Sequence, residues 1–103
     1  MSIAVTWDDE AQCELNCTAL YYAKRAGSEL AERFINAVES AIERAQIDPL
    51  AYRRFHGDAR KVRVRRFPYH IVFWHWEDED IIHILAVASD HRDPGYWRGR
   101  RTE

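Results

Sequence analysis

The chain has little of what would hold a small protein together by covalent or metal links. Only two cysteines, Cys13 and Cys17, occur in 103 residues, four apart within a helical pattern. Side chains at that spacing share a helix face, but a structural zinc takes four ligands and no Cys or His pair follows at zinc spacing. Two free thiols are expected, with no metal and no cofactor. No apolar run approaches the ~18 residues of a membrane span, and no basic–apolar–small segment marks a secretory leader. A cytoplasmic protein without membrane contact is expected. Internal repeats and low-complexity segments are also missing. What remains is 47% apolar and 31% charged residues, the balance of one ordinary domain, 1–103, large enough for its own core.

A net charge of −2 conceals a polarity along the chain. Residues 1–51 carry nine acidic and four basic side chains. Residues 52–76 carry seven basic ones (Arg53, Arg54, Arg60, Lys61, Arg63, Arg65, Arg66) against Asp58 alone. Such a block suits nucleic acid or an acidic protein partner, unless it is merely a solvated strand face.

Ile3, Val5 and Trp7 alternate with polar or small residues, as in a short strand with one buried face. Asp8 or Asp9 then supplies a helix N-cap. Ala11, Leu15, Ala19, Tyr22 and Ala26 fall on one helical face, and Gly27 is a left-handed stop. Ser28 can cap a second helix, whose stripe is Leu30, Phe34, Val38, Ala41 and Ala45, ending before Asp48-Pro49. So short a link makes 8–47 an antiparallel helical hairpin. Residues 50–58 read as a linker.

Val62 and Val64 alternate with Lys61, Arg63 and Arg65, a strand with one apolar and one cationic face. Pro68 marks a bulge or the edge of the next strand, about 69–76, which pairs with about 81–88 across the acidic turn Glu77-Asp78-Glu79-Asp80. A turn centred on Asp78-Glu79 sets Trp76 opposite Ile81, Trp74 opposite His83 and Val72 opposite Leu85. One face then collects Tyr69, Ile71, Phe73, Ile82, Ile84, Ala86 and Ala88, and should pack on the hairpin. The other collects His70, Val72, Trp74, Trp76, Ile81, His83, Leu85 and Val87. The expectation is an α+β fold: an N-terminal strand, an antiparallel helical hairpin, then three antiparallel strands forming a sheet packed on it.

Arg65 before Phe67-Pro68-Tyr69, the apolar strand pair, and Arg92-Asp93-Pro94-Gly95-Tyr96-Trp97 form an ordered set over some 35 residues. That set, with the order strand–helix–helix–strand–strand–strand, resembles the ParE/RelE family of bacterial toxins. The resemblance implies a stable toxin held inactive by a cognate antitoxin in a hetero-oligomer. It also implies one of two activities. RelE-like members cut mRNA on the ribosome, whereas ParE-like members block DNA gyrase. The Phe-Pro-Tyr and Pro-Gly-Tyr-Trp strings look more like the ParE branch. A degenerate module that only binds antitoxin is a third possibility.

Metal-free RNA cleavage needs a base, cations around the phosphorane and an acid for the leaving oxygen. Arg63, Arg65 and Arg92 are the candidate cations, with His91 and Tyr96 as base and acid, and His70 or His83 in reserve if their face is open. The family pattern usually has a His directly after the last strand, where this chain has Ser89; His91 comes two positions later. Binding rather than cutting is therefore expected. The partner-facing set is Lys61, Arg63, Arg65, Trp74, His83, Arg92, Tyr96 and Trp97. Within it the Lys61–Arg63–Arg65 row is poorly explained by packing. Arg92 is expected to anchor the tail or face outward, and Tyr96 and Trp97 to pack on the sheet edge. Trp74 beside His83 would offer a stacking platform or a surface covered by antitoxin.

Overall fold

A computed structural model describes residues 3–100. Strand β1 (Ala4–Trp7) leads into helices α1 (Asp9–Ala26) and α2 (Ser28–Ile47). A short 3-10 turn (Pro49–Ala51) follows, then strands β2 (Arg54–His56), β3 (Ala59–Val64), β4 (Tyr69–Trp76) and β5 (Ile81–Ser89). The five strands form one sheet in the order β1-β5-β4-β3-β2. This is the expected helical hairpin on a sheet, with one strand more. Residues 54–56 fold back on β3 across Gly57-Asp58, so the expected linker contains a strand. All neighbours are antiparallel except β1, which lies parallel to β5 at the edge.

Local chemistry explains the helix ends. Asp8 has extended backbone, and its carboxylate accepts the Glu10 N–H at 2.8 Å, leaving Asp9 and Glu10 in the first turn. Gly27 sits between the helices at φ 97°, ψ 166°. The positive φ is as expected, but ψ is extended rather than left-handed helical, a region essentially reserved for glycine. Ser28 is the first residue of α2 and makes no side-chain cap there, because Gly27 occupies the capping position.

The helix-facing core joins Phe34, Val38, Ala41 and Ala45 of α2 to Val62, Val64, Ile71, Phe73, Ile82, Ile84 and Val87. Phe34 is its aromatic centre, with ring centroids 5.2–5.4 Å from Phe67, Tyr69 and Tyr22. The expected pairs Trp76–Ile81 and Trp74–His83 are present, but Val72 pairs with Ala86, not Leu85. Leu85 is the extra residue of a β-bulge between the Phe73–Ile84 and Val72–Ala86 pairs. Beyond it the alternation is reversed. Val87 therefore faces the helices, while Ala86 and Ala88 join Val72, Leu85, Ala59 and Trp97 in a second cluster on the opposite face.

Candidate functional site: a cationic groove beside the C-terminal tail

After β5 the chain turns back over the second cluster. Ser89 Oγ accepts the His91 N–H at 3.1 Å, and Pro68 O accepts the Asp90 N–H at 2.9 Å. Trp97 is 4% exposed and packs its ring 5.7 Å from those of Phe55 and His56. Tyr96 is half-buried, and its hydroxyl donates to Glu14 Oε2 at 2.7 Å. Burial first, then that hydrogen bond, push the Tyr96 phenol well above its ordinary range. Tyr96 and Trp97 thus pack the tail onto the sheet.

Glu14 of α1 is the anchor. Its carboxylate accepts both guanidinium nitrogens of Arg100, at 2.9 and 3.0 Å, and the backbone N–H of Val87 at 3.0 Å. Arg100 also donates to Leu85 O at 2.9 Å. The parallel edge strand ends where Trp7 pairs with Ile84, so these backbone groups just beyond have no strand to bond. Two side chains satisfy them instead.

Between the tail loop and β3 lies a groove of about 640 Å³, lined by Arg44, Tyr52, Phe55, Lys61, Arg63, His70, Asp90, Arg92 and Pro94. Asp90 organises its floor, accepting from Arg63 at 2.9 Å and from His70 Nδ1 at 2.9 Å. An ionised carboxylate can only accept, so His70 carries a proton on Nδ1 and Nε2 is its basic nitrogen. Burial pushes the Asp90 carboxyl up, but the hydrogen bonds from His70 and Arg63 outweigh it and hold the carboxyl below its usual range. Arg44 donates to Arg63 O at 2.9 Å, Lys61 Nζ lies 5.0 Å over the Phe55 ring, and the Arg92 guanidinium 3.8 Å over Tyr96. Four cations against one carboxylate make this an anion-favouring concavity.

The expected site residues scatter. Lys61, Arg63 and Arg92 meet in the groove. Arg65 does not: β3 ends at Val64, and the turn carries Arg65 and Arg66 to a second groove with Leu30, Arg33, Asn36, Ala37, Ser40, Arg44 and Phe67. The three-cation row is therefore two cations on one face and one on another. Arg60, also in the basic block, is buried and donates to Tyr52 O at 2.8 Å. His83 is buried, 2.7 Å from the Thr6 hydroxyl, and stacks on Trp76 (5.1 Å, 8° between planes) rather than Trp74. Trp74 and His83 lie at the far end of β4 from His70. His91 is exposed and does not line the groove.

The sequence reading passed over Glu14, Arg44, Asp90 and Arg100. Glu14 carried a signal, since it adjoins Leu15 on the expected buried face. Among the described residues no group of three or more His, Cys, Asp or Glu could hold a metal.

Residues 5–94 match the family model for the ParE toxin of type II toxin–antitoxin systems, parDE. The chain belongs to the ParE toxin family. Solved structures place it within the wider ParE/RelE fold. A chain of the chromosomal ParDE system of P. aeruginosa superposes with a TM-score of 0.73 at 17% identity, covering 84% of this chain and 95% of that one. A double mutant of the E. coli toxin RelE in the free state gives 0.60 at 17% identity, covering 88% and 86%. The same mutant bound to a peptide of the antitoxin RelB gives 0.52 at 16% identity, covering 100% and 99%. No curated protein matches significantly. No helix among the described residues of this ParE family member is long and apolar enough to cross a membrane.

Proposed function

We propose that this ParE-family toxin acts by binding DNA gyrase and is neutralised by a cognate antitoxin. The carrying observation is the fate of the expected acid. The Tyr96 hydroxyl is turned onto Glu14, under a phenol pushed upward by burial, so it is not presented to a leaving oxygen in the groove. Lys61, Arg63 and Arg92 remain as a shaped cationic surface, which suffices for a binding toxin. The second groove, around Arg65 and Arg66, suits acidic segments of an antitoxin, which leaves this one to the target.

One observation favours a second reading, ribosome-dependent mRNA cleavage. His70 lies in the cationic groove with Asp90 fixing its tautomer, the arrangement of an oriented base. The test is to induce the chain without antitoxin and follow chromosome breaks and mRNA ends in parallel, for the native sequence and for His70→Ala. DNA breaks with unaltered mRNA ends, unaffected by His70→Ala, support gyrase. Codon-phased mRNA cuts lost in His70→Ala would replace that reading with the nuclease.

A further inference from the structure

Helix α1 buries little of itself: Ala11 is its one fully buried residue. Its outward face carries Asp9, Glu10, Cys13, Asn16, Cys17, Leu20, Tyr21 and Lys24, all exposed. Leu20 is 55% exposed and Tyr21 51%, and both cysteines are free thiols on the same face. A helix face whose centre is apolar, at one-turn spacing, is not explained by packing within the chain.

The charges on that face are ordered. Asp9 and Glu10 stand at its start, Glu10 also 3.3 Å from Arg100, and Lys24 stands at its end. The face is therefore complementary to itself run backwards. When two copies of α1 lie antiparallel, the acidic end of each meets the basic end of the other, as a two-fold axis requires. The centre of that pairing falls at Cys17. Cys17 then faces Cys17 of the second copy on the axis, and Cys13 packs on the other copy's Tyr21.

We propose that this face of α1 is a homodimer interface, and that oxidation closes a Cys17–Cys17 disulfide across its axis. Packed helices sit about 8–10 Å apart, with Cα atoms about 2.3 Å from each axis. Facing Cα atoms are then about 3.4–5.4 Å apart, and the wider of these spacings reach the roughly 4.4–6.8 Å that a disulfide spans. One helix face supplies less area than a standard interface, so the reduced dimer is weak and the covalent bond fixes it. With hydrogen peroxide as oxidant, the two thiols lose two protons and two electrons, the S–S bond forms, and peroxide is reduced to two waters. The proposal is independent of what the toxin attacks.

The experiment treats the full chain with hydrogen peroxide, reads covalent dimer on non-reducing gels, and follows reduced protein by sedimentation across concentration. The expected result is a concentration-dependent reduced dimer and a cross-link that Cys17→Ser abolishes and Cys13→Ser retains. Lys24→Glu weakens self-association by about tenfold, since symmetry counts the lost pair twice. Adding Asp9→Lys to it restores association, which a merely structural effect would not do. A reduced chain that stays monomeric at every concentration, or a cross-link that survives Cys17→Ser, overturns the proposal. So does protection of both thiols from alkylation only when antitoxin is bound, because the face would then be the antitoxin's.

Discussion

Glu14 grips Arg100 from 86 positions earlier in the chain, and the same carboxylate accepts the Tyr96 hydroxyl and the Val87 amide. The Arg100 side chain is only 9% exposed, so removing its buried partner leaves only the mostly exposed Glu10, at 3.3 Å, to balance it. Glu14→Ala is expected to cost about 3–5 kcal/mol, the range for breaking a buried pair. Chemical denaturation would check it, and a double-mutant cycle with Arg100→Met should recover part of the loss.

Asp90 gives the acid limb a defined sign. Its carboxyl is depressed in the folded state, so its contribution is full above the unfolded value of 3.8 and is lost as pH falls through the lower folded value. The stability difference between the native chain and Asp90→Asn should thus be flat at neutral pH and shrink below about pH 4. A difference that stayed constant down to about pH 2 would show that the Asp90 carboxyl is not the group responsible.

Gly27 holds the hairpin at a backbone conformation that side chains rarely adopt, although nothing lies within 4 Å of an added Cβ. Gly27→Ala should therefore cost about 1–3 kcal/mol through backbone strain alone. Thermal melts would show the loss without any change in the packing of Phe34.

Truncating Phe34 removes the ring shared by Tyr22, Phe67 and Tyr69. Phe34→Ala is expected to cost about 3–5 kcal/mol and Phe34→Leu substantially less, because most of the volume is kept. Denaturant midpoints of the two variants should rank in that order.

The two grooves should separate target from antitoxin. Charge reversal at Lys61 or Arg92 is expected to abolish growth inhibition, with near-native melting as the control. Arg65→Glu should leave toxicity intact and weaken antitoxin binding, read by titration calorimetry. Toxicity lost through Arg65 and kept through Arg92 would reverse the assignment of the two surfaces.

Much of this was legible in residue order. Helical stripes set by Phe34 and Val38, and strand alternation at Val62 and Val64, follow from burial on one face, which a local pattern records. The faces after Leu85 were not legible. A bulge inserts one residue without a distinctive residue type, and every later side chain changes sides. The cationic row failed for a related reason: alternation extends Lys61–Arg63 to Arg65 on paper, but the turn before Pro68 ends the strand first. Nothing local marks Asp90. Only the folded chain brings it to Arg63 and His70, 27 and 20 positions away.

The parallel pairing of β1 with β5 also times the molecule's birth. The first strand has no neighbour until the last is made, and Glu14 waits for Arg100 through 86 further residues. At about 5–20 residues per second that is roughly 4–17 s of synthesis. Asp90 and Arg92 emerge at the end of the same interval, so no nascent fragment carries the groove. A ribosome that stalls before Asp90 releases a chain without the groove.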